Sequence, residues 1–183
     1  MIYLLLLASV PQLASVFDVS GRNRWFVYNF YIVADAFIWA LIFFINIHQK
    51  IKFWITAFLS LFLISFVYLA ISEHPGSRFF SELVCLNSMI QVVWVLIFFY
   101  ETYKSELVYR IEMKPMFWFC MGILVYAPST YFHFAFRDII NKSEFYIGFR
   151  NVHDVLNTLL FLFLAVGLAI RGRWFLKIFS FGN

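Results

Sequence analysis

The chain has 183 residues, of which 63% are hydrophobic and 13% are charged, whereas a soluble domain is about 45–50% apolar and about 25% charged. A soluble domain of this length cannot bury so much apolar surface, so the composition predicts a protein solvated by a lipid bilayer. The net charge of +4 lies in the predicted loops and the C-terminal tail. No basic run interleaved with aromatic residues forms a separate domain, which argues against nucleic acid as a partner.

Apolar runs of membrane-spanning length predict an all-α fold, a polytopic transmembrane helical bundle that forms one membrane domain over residues 1–183. The predicted helices cover residues 1–17, 25–47, 53–72, 79–100, 116–136 and 145–171, and a tail covers 172–183. The tail alternates basic with aromatic residues, which is typical of an interfacial anchor.

The first predicted helix, residues 1–17, is close to the lower limit of about 17 residues for a spanning helix. Pro11 is expected to kink it. A signal peptide is the alternative interpretation. No Lys or Arg precedes the apolar run, and this favours a spanning helix.

The second predicted helix carries Tyr28, Tyr31 and Asp35 on one face, at positions i, i+3 and i+7. Asp35 lies near the middle of the span and is the deepest acidic residue of the chain. Two interpretations are open: a protonated Asp35 hydrogen-bonded to tyrosines and amides, or a relay group. The third predicted helix has no charged residue, and we expect it to be a lipid-facing wall.

The fourth and fifth predicted helices carry further polar groups. Glu82 lies in the first turn of the fourth helix, where it would complement the N-terminal helix dipole and contact headgroup water. Asn87 and Gln91 follow, one turn apart. In the fifth helix, Thr130 and His133 share one face. These positions predict a polar lining rather than a lipid-facing surface.

The sixth predicted helix places Arg150, His153, Asp154 and Asn157 on one face before its long apolar run. Ionisable groups cost about 2.5–3.5 kcal/mol each at the bilayer centre, and less toward its edges. This face must therefore point at protein or water. The simplest interpretation of Arg150 and Asp154, at i and i+4, is an intrahelical ion pair at the interface.

Depth along the helices predicts where a ligand would bind. With a rise of about 1.5 Å per residue, most polar groups fall in the outer half of the bilayer and few in the inner half. The sequence therefore predicts an outward-facing pocket among the second, fourth, fifth and sixth helices, with Asp35 at its floor. Its candidate residues are Tyr28, Asp35, Glu82, Asn87, Gln91, Thr130, His133, Arg150, His153, Asp154 and Asn157.

Basic residues in the predicted loops indicate the orientation. One side carries eight, namely Lys50, Lys52, Lys104, Arg110, Lys114, Arg171, Arg173 and Lys177. The opposite side carries six, namely Arg22, Arg24, Arg78, Arg137, Lys142 and Arg150. The positive-inside rule then predicts a multi-pass protein of the inner (cytoplasmic) membrane with both termini in the cytoplasm.

Motifs for metal or cofactor chemistry are absent from the sequence. Glu82, His133, His153 and Asp154 include zinc-ligand residue types, but no HExxH or HxxxH spacing joins them. No nucleophile elbow or phosphate loop is present, so no metal and no cofactor is predicted. Cys85 and Cys120 are predicted near opposite membrane faces, too far apart in depth for a disulfide.

Two segments carry a resemblance to known proteins. They are KPMFWFCMGILVYAPSTYF, residues 114–132, and NVHDVLNTLLFLFLAVGLAI, residues 151–170. Over residues 25–173 the chain resembles small bacterial multi-pass membrane proteins, and similar helices look like the membrane-embedded sensor segments that precede some signalling kinases. The resemblance implies sensing or binding and no particular activity.

These observations favour a non-enzymatic membrane module, sensor-like or partner-binding, with the lipid bilayer and a second copy or a membrane protein as partners. A small transporter or channel subunit is the alternative, with Asp35 and Gln91 lining its path. A conduit needs polar groups or a hydrophobic gate on both sides of the midplane, and the inner half offers few. An intramembrane metal-dependent hydrolase would need three convergent ligands.

Overall fold

The computed structural model describes residues 22–47, 52–74, 78–104, 111–136 and 146–180, and within them the chain is all-α. The helices are α1 (Arg22–Asn46), α2 (Lys52–Glu73), α3 (Ser81–Lys104), α4 (Pro115–Ala135) and α5 (Tyr146–Ser180), and a 3-10 turn, Ile111–Met113, precedes α4. They correspond to the second to sixth predicted helices, which confirms the predicted helical fold. The first predicted helix, residues 1–17, lies outside the described residues.

Four helices are long and apolar enough to cross a membrane. They are Trp25–Asn46 in α1, all of α2, all of α3, and Asn151–Gly172 in α5. The described part of the chain therefore supports a membrane protein with four such helices rather than six. Helix α4 is not among them.

The predicted helix ends differ from the observed ones mainly at two C-termini. Helix α3 continues to Lys104 instead of ending at residue 100, and α5 continues to Ser180 instead of ending at residue 171. Residues 172–180 of the predicted tail are therefore helical. In the prediction, each of these helices ends where its apolar run ends. Glu, Lys and Arg are good helix formers, however, so the helix continues through them.

The chain divides into two compact units, Met1–Ile90 and Gln91–Asn183, so α3 contributes residues 81–90 to the first unit and 91–104 to the second. In the first unit, α1 and α2 pack together. The buried positions of α1 recur every three or four residues, as expected for one helix face: Asn29, Ile32, Ala36, Trp39, Ala40 and Phe43.

Helix α2 exposes most of its surface. Only Ile55 and Phe62 are buried, while large apolar side chains such as Trp54, Ile64 and Ile71 are exposed. The helix satisfies its hydroxyl groups internally, as in the bond that Ser65 donates to the Leu61 carbonyl at 2.9 Å. This pattern agrees with the predicted lipid-facing wall, because an apolar face without protein contacts requires lipid as its solvent.

In the second unit, α4 and α5 form the most extensive helix–helix contact. Two glycines allow this close approach. A Cβ atom on Gly122 would lie 3.0 Å from both Leu160 and Phe163, and one on Gly167 would lie 2.9 Å from the carbonyl oxygen of Pro115. Small residues at helix crossings are typical of packing in membranes, where close backbone approach replaces the hydrophobic driving force.

Candidate functional site

Asp35 and Asn87 form a polar contact inside the first unit. Asn87 Nδ2 donates a hydrogen bond of 2.9 Å to Asp35 Oδ2 and so joins α1 to α3. Asn87 is only 6% exposed, and its Oδ1 atom is buried with no hydrogen-bond partner among the described residues. The amide partner of Asp35 is one of those anticipated from the sequence. The contact places the Asp35 carboxyl group next to the Asn87 side chain, whose oxygen is buried.

Tyr28 lies about two turns before Asp35 on α1, within an aromatic cluster. Its ring meets Phe79 edge-on, with centroids 6.4 Å apart, and Trp25 packs against the same Phe79 at 5.9 Å. Tyr and Trp are enriched at membrane–water interfaces, because an apolar ring carries a polar edge. Tyr28 therefore belongs to the end of α1 rather than to the Asp35–Asn87 contact.

Glu82 takes part in an ion-pair network that the sequence did not reveal. Arg78 pairs with Glu73 at the end of α2 through two nitrogens, and its Nη1 lies 2.8 Å from Glu82 Oε1. Hydrogen bonding to Glu73, and then to Glu82, raises the pKa of the Arg78 guanidinium further above its ordinary value. The side chains are 40–53% exposed. Such exposed pairs contribute little to stability, so the network mainly orients Arg78 between the end of α2 and the start of α3.

Asn29 bonds the backbone just before α3 and was not among the predicted site residues. It is fully buried. Its Nδ2 donates to the carbonyl of Arg78 at 2.9 Å, and its Oδ1 accepts the backbone N–H of Phe80 at 2.9 Å. The available signal was its spacing, since Asn29 occupies the stripe continued by Ile32 and Ala36. A polar residue in a buried stripe requires hydrogen-bond partners.

His133 of α4 and His153 of α5 stack on each other in the second unit. Their ring centroids are 4.9 Å apart and the ring planes differ by 17°. The Tyr126 ring also contacts the His153 ring, with centroids 5.6 Å apart. His153 Nδ1 is buried and has no hydrogen-bond partner among the described residues. The sequence predicted both residues as pocket lining, and the structure places them in direct contact.

The remaining predicted residues of the second unit lie on α3, α4 and α5. Thr130 is 4% exposed, and no described group hydrogen-bonds to its Oγ1. Asn157 is half-buried, whereas Asp154 is exposed. Gln91 is buried on α3. Helix α5 includes Arg150, but its side chain lies outside the described residues, and the Arg150–Asp154 ion pair stays a prediction.

The candidate residues therefore fall into two separate groups. Tyr28, Asp35, Glu82 and Asn87 belong to the first unit, and Gln91, Thr130, His133, Arg150, His153, Asp154 and Asn157 belong to the second. The common pocket predicted for all of them stays a prediction. Among the described residues, no group of three or more His, Cys, Asp or Glu side chains could hold a metal ion.

The fold and these two groups together define an α-helical protein with long apolar helices and partly buried polar pairs. No protein-family model, curated protein or solved structure matches the chain.

Proposed function

We propose that the chain is a non-enzymatic, sensor-like or partner-binding protein of the inner (cytoplasmic) membrane. In this proposal it crosses the membrane six times, with residues 1–17 and α4 added to the four apolar helices, and both termini lie in the cytoplasm. The observation that carries the binding role is the hydrogen bond between Asp35 and Asn87.

A carboxylate in a membrane helix is expensive, so such a residue marks a functional site by default. Asp35 lies 13 positions after the first residue of α1, which corresponds to about 20 Å of helix. A purely structural contact at that depth would be made at lower cost by apolar side chains. The cost of Asp35 therefore supports a role in binding.

The chemistry of the contact supports a ligand class. Asn87 Oδ1 is an acceptor buried next to a carboxylate, and both groups favour a ligand that brings a positive charge or N–H donors. A small cation or amine fits this requirement. Sensing then consists of ligand-dependent stabilisation of the contact between α1 and α3.

The proposal is tested by following thermal unfolding of the full chain in lipid nanodiscs while Na⁺ or methylammonium is added. A ligand that binds the folded state raises the unfolding midpoint according to its concentration relative to Kd. We expect a saturable rise in the wild type and its loss in Asp35→Asn and Asn87→Leu. Asn46→Ala is the matched control, because Asn46 is exposed and bonds its own helix at the Ile42 carbonyl.

The proposal would be contradicted if both variants kept the wild-type rise in unfolding midpoint with the two cations. A transporter or channel is the second candidate, favoured by the depth of Asp35, since intramembrane acids also line ion paths. Uptake of the same cation into sealed proteoliposomes separates the two functions. A sensor binds the cation without uptake, whereas uptake that requires Asp35 would assign transport.

A further inference from the structure

The stacked histidines connect α4 and α5, which also approach each other closely at two glycines. Gly122 and Gly167 hold α4 against α5 at distances that leave no space for a Cβ atom. His133 lies 11 positions beyond Gly122 on α4, which is about 16 Å along the helix. The tight glycine contacts and the histidine contact therefore occupy different parts of the same helix pair.

Pro128 lies inside α4, between these two parts. A proline in a helix interior removes one backbone hydrogen bond, and its ring crowds the preceding turn. Kinks and bends concentrate at such positions. The segment 129–135, which carries His133, is thus joined to the glycine-packed part of α4 at a position where the helix bends most easily.

Buried polar atoms near the histidines are incompletely satisfied in this arrangement. Thr130 Oγ1 and His153 Nδ1 are both buried without a hydrogen-bond partner among the described residues. An unsatisfied buried polar group is costly, so these two atoms contribute no stability to the contact between α4 and α5.

We propose that His133 and His153 form a proton-operated switch, in which the second proton taken up by the pair separates segment 129–135 of α4 from α5. Each step adds one proton from water to an imidazole nitrogen. An isolated imidazole is half protonated at about pH 6.5. The neutral pair stacks, and one imidazolium is tolerated beside a neutral ring. Two imidazolium rings at a centroid distance of 4.9 Å repel each other in an apolar setting.

The described groups whose rings face the two histidines are mostly uncharged. On α4 the rings that face the pair belong to Tyr126 and Phe134, which carry no charge at neutral pH. On α5 the adjacent carboxylate, Asp154, is exposed to solvent. Charged residues also lie between the two helices along the chain, namely Arg137, Asp138, Lys142 and Glu144, and Arg150 lies near the start of α5. The switch belongs to the second unit and goes beyond the ligand proposed for Asp35.

Histidine titration gives the first test. The chain has four histidines, and their ring signals in nanodiscs can be assigned by NMR with single His→Gln variants. We expect His133 and His153 to titrate in two steps separated by about 1 pH unit or more, as coupled sites do. In His133→Gln, His153 should titrate in a single step. His74→Gln, at the end of α2, is the control and should leave both steps unchanged.

Distances between nitroxide labels give the second test, in a Cys85→Ser, Cys120→Ala background. Labels at the exposed positions Phe132 and Val152 report the histidine end, and labels at Met113 and Ala169 report the opposite end of the helix pair. Acidification from about pH 8 to about pH 5, the range in which histidine changes charge, should lengthen the first distance and leave the second unchanged.

Two variants separate the switch from general acid unfolding. His133→Phe keeps an aromatic ring against His153 but removes one proton site, so it should abolish the lengthening. Pro128→Ala should reduce the lengthening while both titration steps remain. A wild-type distance that does not change with pH, or a change of equal size in His133→Phe, would overturn the proposal.

Discussion

Asn29 shows how much a single amide contributes to this fold. Both ends of its side chain bond the backbone of the turn before α3, at Arg78 and Phe80. The amide therefore satisfies one backbone carbonyl and one backbone N–H that lie outside the helices. Inside a membrane protein such backbone groups have no water to bond, so their partner must come from another helix.

Asn29→Ala should destabilise the first unit. The substitution leaves the buried N–H of Phe80 and the carbonyl of Arg78 without their bonds, at a cost of about 1–3 kcal/mol for each group. Unfolding of the full chain in mixed micelles, followed by circular dichroism, measures this change. Asn46→Ala removes only a bond within one exposed helix and should stay within about 0.5 kcal/mol of the wild type. Equal stabilities for the two variants would contradict the role of Asn29.

At the scale of helices, the contact between α4 and α5 depends on two glycines, Gly122 and Gly167. The apolar stripe of α4 recurs at Met116, Cys120, Ile123 and Ala127, and Gly167 of α5 faces the start of this stripe through Phe119 and Pro115. Close packing of this kind tolerates little added volume, because protein interiors are packed nearly as densely as crystals.

Gly167→Ala should weaken the contact between α4 and α5. Its Cβ would lie 2.9 Å from the backbone carbonyl oxygen of Pro115, and overpacking of this kind costs about 1–3 kcal/mol. Gly172→Ala, on the same helix, is the matched control, since a Cβ there meets nothing within 4 Å. That control should be neutral or stabilising by up to about 1 kcal/mol, because alanine favours helix over glycine. Unfolding midpoints in micelles compare the pair, and a lower midpoint for Gly172→Ala than for Gly167→Ala would contradict the packing argument.

At the scale of the whole molecule, four helices are long and apolar enough to cross a membrane, and α2 exposes an apolar surface over most of its length. The bilayer is then part of the solvent for the native state. In the six-span proposal, the orientation follows from the basic residues, because cytoplasmic loops retain Lys and Arg. That proposal puts eight basic residues on the cytoplasmic side and six on the other.

Six spans with cytoplasmic termini place Ser77 outside and Ser105 inside. Single cysteines at these two positions, in a background without Cys85 and Cys120, should respond differently to a membrane-impermeant maleimide added to intact cells. Ser77→Cys should be labelled directly, and Ser105→Cys only after the cells are permeabilised. Labelling of Ser105→Cys in intact cells would reverse the proposed orientation.

The sequence by itself determined the class of protein and the positions of its helices. Composition required a lipid environment, and the apolar runs located α1 to α5 with starts within about three residues, since helix formation and burial both follow local pattern. The depth of Asp35 and the shared face of His153 and Asn157 also follow from helical periodicity alone. The helix C-termini were less certain, because polar residues continue a helix as well as they end it.

Only the tertiary structure decided which polar groups meet. Asn87 is 52 positions from Asp35, and Phe80 is 51 positions from Asn29. The contact of His133 with His153 likewise depends on how two helices are rotated and how closely they approach. Periodicity shows which face of a helix is polar, but not the neighbour that this face meets. That choice depends on the packing of side chains between helices, in which a glycine such as Gly167 sets the distance.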